Sequence, residues 1–387
     1  MEVDLADDVF TKEIIEYVSS LNLTCKPCIL RSAKGCYPTS LLSVLDILGE
    51  KYIDCDWHAR SEGWDVPIRE NFFPHVLDGD WRYSRPAVAK LLDLAVRQGS
   101  RESRFLHVGS PSTYRAALKA FPNSGHHWLY DRNAVHHGAH SIDSGGFAFD
   151  VAIIDPPWYP EDTVDFLKIA RSHLRKGAKV FVAQPAELTR PGVLPEREHL
   201  LAELLVLGYH HVVTRPNFVR YETPHFEWVT LNSQVSQRIP ADWRLGDLLI
   251  FEYNSLQTQE NYKLSDNTEW LERRIGPLRF RIRAIPSANE TTFSTLTLTG
   301  FASSVSRRDP VRSNVGIWTS GNRIFTCSSI DTALSVLREI EKQLICARLC
   351  LRSCIDILQE HGLSIDSAEK SGHVIMDDIM EHLSYAV

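Results

Sequence analysis

The chain has 387 residues, 43% of them hydrophobic, which is enough to bury a sizeable core in two or three domains and excludes a disordered polypeptide. A formal charge of -7, with no long block of lysine or arginine, excludes a protein held to duplex DNA chiefly by counterion release, although a local basic groove stays open. The acidic start, MEVDLADDVF, lacks a signal-peptide pattern and no apolar stretch is long enough to span a bilayer, so a soluble, cytoplasmic chain without a membrane partner is expected.

Residues 1–80 read as a small N-terminal module. Its first element is a helix over Phe10–Leu21, where Ile14, Ile15, Val18 and Leu21 recur at helical spacing. Cys25-x-x-Cys28, Cys36 and Cys55-x-x-His58 follow, a set of thiols and an imidazole whose spacing suits a structural zinc ion or, alternatively, ordinary buried cysteines. With only 8 cysteines in the chain, most are expected to be reduced thiols.

A second domain is expected over 81–255. "RPAVAKLLDLAVRQG" opens with proline and closes at Gly99, as helix start and stop chemistry predicts. "RFLHVG", "HHWLYD", "FDVAIID", "AKVFVAQP" and "YHHVVTR" are short apolar runs, separated by predicted helices over Ser112–Phe121, Glu161–Leu174 and Glu196–Leu207. Alternation of this kind predicts an open α/β sheet, parallel and covered on both faces, with "WRLGDLLIFEYN" as its last strand.

Asp155-Pro156-Pro157-Trp158-Tyr159 ends the "FDVAIID" run. In an open parallel sheet ligands bind at the carboxyl ends of the strands, so Asp155 is placed at a site. The two prolines stiffen the turn and keep its carbonyls out of a helix. A carboxylate beside fixed carbonyls suits an amino group that gains positive charge as it attacks an electrophilic carbon. Trp158 and Tyr159 offer flat faces for stacking or for cation-π attraction to a sulfonium.

This motif, between an apolar strand and a helix, resembles the Asp-Pro-Pro-Trp/Tyr/Phe signature of amino-group methyltransferases dependent on S-adenosylmethionine, which act on adenine N6 or on lysine. The resemblance covers roughly 81 to 255. It implies a Rossmann-like methyltransferase sheet, with Asp155, Pro156, Pro157 and Trp158 as catalytic positions. It further implies that S-adenosylmethionine lies against Gly109, Ser110 and Asp155, and that Asp131, ending "HHWLYD", takes the ribose hydroxyls. No Gly-x-Gly-x-Gly is present; the single-glycine loop "VGSPS" resembles the branch that includes protein-lysine and ribosomal-RNA adenine enzymes. Ser110 or Ser112 is expected to cap the following helix.

Downstream, "VRYETPHFEW" follows another strand, and its Tyr221 and Glu222 are candidates, with Tyr159, for substrate contact; a structural turn is the alternative. The clusters His126-His127, His136-His137-His140 and His210-His211 are not expected to bind metal, because neighbours in a strand point to opposite faces.

Residues 256–387 read as a C-terminal α+β module: strands in "LRFRIRAI", "TTFSTLTLTGF", "VGIWTS" and "RIFTCS", a hairpin at Gly321-Asn322, then one helix from about Ile330 to His361. Cys346, Cys350 and Cys354 should then share a helical face, and Arg307, Arg308 and Arg312 a charged loop. The expected function is amino-nitrogen methylation, first of adenine N6 in a nucleic acid or nucleotide. The alternatives are a protein-lysine methyltransferase and a catalytically inactive fold acting as a binding subunit.

Overall fold

The computed structural model describes residues 9–49, 52–53, 74–79, 81–100, 102–121, 126–131, 148–236, 239–255, 269–283, 293–295, 301–302, 304–327 and 329–386. They divide into two units. One takes the described parts of 1–61, 81–223 and 237–265; the other takes those of 62–80, 224–236 and 266–387. Three modules in series, 1–80, 81–255 and 256–387, were expected; the described residues after 255 all fall in the second unit, which also takes 74–79 and 224–236.

The N-terminal helices α1 (Val9–Ser20), α2 (Lys26–Ser32) and α3 (Pro38–Leu48) belong with the sheet rather than in a module of their own. Arg31 Nε meets Asp242 Oδ1 at 3.2 Å, and the N–H of Leu188 donates to the carbonyl of Lys34 at 3.2 Å. These ties join residues more than 150 positions apart, which local composition does not reveal.

The sheet unit continues with β1 (Arg82–Tyr83), α4 (Arg85–Gln98), β2 (Phe105–Val108), α5 (Pro111–Ala120) and β3 (His127–Tyr130). It is completed by β4 (Phe149–Ile154), α6 (Pro160–Arg171), β5 (Leu174–Pro185), α7 (Val193–Val206), β6 (Tyr209–Glu222) and β7 (Leu245–Tyr253). Proline stands in the first turn of α4, α5 and α6, where its missing N–H costs nothing. The strand order is β1-β6-β7-β5-β4-β2-β3. Strands β3, β2, β4 and β5 run parallel, while β7 is antiparallel to both β5 and β6.

This is a Rossmann-like α/β sheet, as expected, although it is mixed rather than parallel throughout. One face buries Leu106, Val108, Ala152, Ile154, Val180 and Val182 against α6 and α7; the other buries Phe105, Val151, Ile153, Phe181 and Ala183 against α4 and α5. Alternate residues of each strand thus serve opposite layers. Most of β6 is exposed between His210 and Asn217, because only its last two residues pair with β1, so the expectation of a fully covered strand fails there. After β2 the chain passes to β3 on one side and then returns to β4 on the other. The reversal lies between β2 and β4, where open α/β sheets form their ligand crevice.

The second unit holds α8 (His225–Gln234) and the strands β8 (Trp270–Ile275), β9 (Leu278–Arg283), β10 (Phe293–Thr295), β11 (Ile317–Thr319) and β12 (Ile324–Cys327). Their order is β10-β12-β11-β9-β8, antiparallel at every described pairing. The β11–β12 hairpin turns at Gly321-Asn322 as expected, with Asn322 at φ 61°.

The single helix expected from Ile330 to His361 is instead two, α9 (Ile330–Ile345) and α10 (Leu351–Glu360), followed by α11 (Ile365–Ala386). Ala347 at φ 53° breaks the run, and Cys350 caps α10 reciprocally with Ser353. Cys346 and Cys350 therefore lie in the connection, exposed, and only Cys354 packs in the core; they do not share a helical face. Among the described residues, no helix is long and apolar enough to cross a membrane.

Candidate functional site

Six apolar or half-buried residues of β4 carry the chain through the core and release it at Asp155, on the carboxyl edge of the sheet. The N–H of Asp155 donates to the carbonyl of Val108, the last residue of β2, at 3.0 Å. Gly109 follows Val108 directly, and its N–H donates to the carbonyl of Tyr130, the last residue of β3, at 2.9 Å. Asp131 comes next after Tyr130. The tips of three adjacent strands thus present Asp131, Gly109 and Asp155 side by side, which brings together residues the sequence places 46 positions apart at the extremes.

Gly109 has φ +59°, and a Cβ built there would overlap the Phe166 ring and stand 2.9 Å from the Asp155 carbonyl. Only glycine lets these two loops approach so closely. Ser110 occupies the N-cap position of α5 but does not cap it with its side chain. Its hydroxyl is fully buried and lies 2.7 Å from Thr113 Oγ1, so its backbone rather than its hydroxyl lines the loop; Ser112 lies within the helix.

Two tyrosines flank Asp155. Tyr221 donates from its hydroxyl to Asp155 Oδ1 at 2.7 Å, and the Tyr83 ring packs 4.7 Å from the Tyr221 ring. Both phenols are almost wholly buried, and burial, followed by the Asp155 charge, pushes both well above the ordinary tyrosine pKa. They stay neutral, so Tyr221 remains a donor to the carboxylate. Tyr221 therefore lies near the end of β6 and holds Asp155. Glu222 ends β6 opposite Arg82 and is half-buried.

The remaining motif residues are fixed as well. The Pro157 carbonyl accepts the Tyr159 N–H at 2.7 Å, while Pro156 is buried. The Trp158 carbonyl accepts from Arg190 Nη2 at 3.1 Å, and its indole meets Tyr221 edge-on at 5.3 Å. A Cβ on Gly246 would come within 2.8 Å of Trp158 Cζ2, so the indole rests on bare backbone. Tyr159 is the N-cap of α6, its carbonyl accepting from the N–H and the hydroxyl of Thr163. Thr163 Oγ1 in turn accepts from Gln184 Nε2, at the end of β5, at 2.9 Å.

No protein-family model matches the chain, and no curated protein matches its sequence. Among solved structures, it is similar to a branched-chain polyamine synthase mutein from Thermus thermophilus, at 14% identity and TM-score 0.44, over 67% of this chain and 89% of that one. That synthase was solved in complex with N4-aminopropylspermidine and 5'-methylthioadenosine. The chain is also similar to a structure from Listeria monocytogenes described as a class I S-adenosylmethionine-dependent methyltransferase, at 11% identity and TM-score 0.27, covering 66% and 91%. TrmN from Thermus thermophilus is similar at 13% identity and TM-score 0.29, covering 43% and 48%. The likeness is one of fold.

A constellation absent from the sequence reading lies under the Gly109 loop. His107 Nδ1 is 2.8 Å from Thr113 Oγ1 and His107 Nε2 is 3.1 Å from His127 Nδ1. The signal was a histidine inside an apolar strand beside another on its parallel neighbour. Burial lowers both, His107 well below the ordinary histidine value and His127 to about 4. Since the folded values lie below the unfolded one, the unfolded chain binds more protons at mildly acid pH. Stability is complete above about pH 6.5 and is expected to drain as pH falls towards 4, at up to about 1.4 kcal/mol per pH unit for each histidine. Urea unfolding of the sheet unit at pH 7.5 and 5 measures this; equal midpoints in wild type, or an undiminished loss in His107→Leu/His127→Leu, would contradict it.

Among the described residues, no group of three or more histidine, cysteine, aspartate or glutamate side chains is placed to hold a metal. Cys25 is the N-cap of α2, Cys28 lies within that helix, and Cys36 is a core thiol that burial pushes up to about 12; Cys55 and His58 lie outside the described residues. His136, His137 and His140 do so too.

In the second unit, Ser320 Oγ lies 3.0 Å from His382 Nε2, and His382 Nδ1 lies 3.3 Å from Asp378 Oδ1, an order that suggests a nucleophile triad. All three side chains are wholly buried, and Arg323 pairs with Asp378 at 3.0 Å. Ser320 Oγ also accepts the Arg279 N–H, so the set is an internal polar tie without access to a substrate.

Proposed function

We propose that this chain is an S-adenosylmethionine-dependent transferase acting on an amino nitrogen, and that the group transferred is a methyl, with adenine N6 of a nucleic acid or nucleotide as the first acceptor. The observation that carries this reading is the Asp155 carboxylate, fixed by the Tyr221 hydroxyl at the β2–β4 reversal, beside the left-handed Gly109. Its donor set fits the cofactor. Gly109 offers a close-approach backbone, and Asp131 a carboxylate at the adjacent strand tip for ribose hydroxyls.

When bound, the cofactor supplies an electrophilic carbon on sulfonium sulfur. The chain's own residues handle the nitrogen. Asp155 accepts one N–H and so aims the lone pair, and its negative charge offsets the positive charge that grows on nitrogen during attack. The Pro156 carbonyl is the neighbouring acceptor for the second hydrogen, since that of Pro157 already accepts from Tyr159. The methylated nitrogen then gives up a proton to the carboxylate or to water. Trp158 frames the group that carries the nitrogen.

The test is transfer of labelled methyl from S-adenosylmethionine to total RNA, DNA, protein and polyamines in separate arms. Label in an amino position, lost in Asp155→Ala, is the expected result; no transfer in any arm, or transfer untouched by that change, sinks the proposal. Tyr221 acts through Asp155 as a positioning residue. Tyr221→Phe removes one charge-assisted hydrogen bond and is expected to lower kcat roughly tenfold while cofactor affinity stays the same. Calorimetry beside steady-state kinetics separates the two, and a parallel loss of affinity would assign Tyr221 to the cofactor instead.

A further inference from the structure

One hydroxyl beneath the Gly109 loop takes three partners. Thr113 Oγ1 lies 2.9 Å from the Ser110 carbonyl oxygen, 2.7 Å from Ser110 Oγ and 2.8 Å from His107 Nδ1. A hydroxyl carries one proton and two lone pairs. The carbonyl cannot donate, so the Thr113 proton points to it, and Ser110 Oγ and His107 Nδ1 must both be donors to Thr113. His107 is neutral, since burial holds it well below the ordinary histidine value. With its proton on Nδ1, its Nε2 is an acceptor, and the 3.1 Å contact to His127 Nδ1 is filled by the His127 N–H. The chain of bonds therefore runs one way, from His127 through His107 and Thr113 to the Ser110 carbonyl.

Ser110, Thr113 and His107 are wholly buried and His127 is 9% exposed, so water has little access to the chain. The His127 ring is held between aromatic neighbours, its centre 4.8 Å from that of Phe105 and 6.0 Å from that of Phe121, both near parallel to it.

Ser110 is the residue through which the Gly109 loop enters α5, and φ -128° with ψ 62° places it in neither the helical nor the strand region. Its carbonyl accepts the Tyr114 N–H at 3.2 Å as well as the Thr113 hydroxyl. Its own hydroxyl is spent on Thr113 and leaves the helix without a side-chain cap. Without the Thr113 hydroxyl, Ser110 Oγ would be free to turn to the cap, and the backbone after Gly109 would lose one of the two donors that set it. A loop that is not set beforehand has to be ordered on binding, at a cost in affinity.

Resting on the S-adenosylmethionine reading, we propose that Thr113 and His107 are positioning residues for the cofactor, which act through Ser110 and hold the Gly109 loop in the conformation that binds it.

The test uses the full chain at neutral pH and at a temperature where every variant is folded. Thr113→Val keeps the shape of the side chain and removes the hydroxyl, whereas Thr113→Ser keeps the hydroxyl. Calorimetry is expected to find S-adenosylmethionine bound at least about tenfold more weakly by Thr113→Val, and within about threefold of wild type by Thr113→Ser. Exchange of the Gly109 and Tyr114 amide hydrogens should quicken in Thr113→Val alone. A purely structural role would lower the melting temperature of Thr113→Val and leave the affinity of the folded protein unchanged, which would overturn the proposal. Unchanged amide exchange, or an equal loss of affinity in Thr113→Ser, would do the same. Imidazole nitrogen NMR of the wild type depends on no variant's folding. It should show the Nδ1–H tautomer at both His107 and His127; a proton on His107 Nε2 would reverse the chain and overturn the proposal.

The two readings fail separately. If the wild type binds no S-adenosylmethionine, the cofactor reading falls and the positioning role falls with it. Equal binding by wild type and Thr113→Val leaves the cofactor reading standing and removes the positioning role alone.

Discussion

Asp155→Asn is expected to lower amino-group transfer by at least about a hundredfold, with S-adenosylmethionine affinity within a factor of about three of wild type. Asparagine keeps the shape, and its carbonyl oxygen can still accept the Tyr221 hydroxyl, so the β4 tip and the two buried phenols should stay in place. What it removes is the negative charge facing the nitrogen. That charge matters most in the transition state, when the nitrogen is part-way to an ammonium, so the loss should fall on kcat far more than on KM. Single-turnover transfer, set beside cofactor calorimetry, checks both halves. Retained transfer would show that the acceptor nitrogen lies elsewhere; lost cofactor binding would place the carboxylate on the cofactor.

How much of this arrangement could be read in advance depended on sequence distance. The β4 strand, its terminal carboxylate, the two prolines and helix α6 are consecutive residues, and each follows from a local rule: an apolar run, fixed φ angles, a proline in the first helical turn. Gly109 was legible for the same reason, as a glycine between an apolar strand and a proline-led helix.

The groups that hold Asp155 were not. Tyr221 lies 66 positions away, and Tyr83 reaches it only because the two-residue strand β1 pairs with the end of β6 in the register Tyr83↔Tyr221. Register between distant strands follows from the packing of whole faces, which no local pattern records. The packing of the Arg244 guanidinium against three indoles has the same origin. Trp81, Trp158 and Trp243 belong to three separate segments that converge only through the sheet order.

The helix break at Cys346–Cys350 was hidden for another reason: neither proline nor glycine marks it. The chain turns through an alanine at φ 53° and uses cysteine as a cap, both rare choices that propensity argues against. The placing of α1, α2 and α3 beside the sheet was hidden likewise, because ties such as Arg31 to Asp242 span 211 positions.

Gly109→Ala carries the second large effect, on stability and on cofactor binding together. Alanine at φ +59° costs about 1–2 kcal/mol in backbone strain. The added methyl must also displace the Phe166 ring or the Asp155 carbonyl, a steric cost of about 1–3 kcal/mol in a packed setting. Gly177 separates the two contributions: it has φ +83° with nothing within 4 Å of a built Cβ, so Gly177→Ala bears the strain alone. Chemical unfolding should therefore rank wild type above Gly177→Ala, and Gly177→Ala above Gly109→Ala. Calorimetry should find S-adenosylmethionine affinity lost only in Gly109→Ala, since moving the Asp155 carbonyl separates the β2 and β4 tips that would hold the cofactor. If Gly109→Ala matched Gly177→Ala in stability and bound the cofactor like wild type, the crevice between those strands would not be the binding place, and the chemistry assigned to Asp155 would lose its partner.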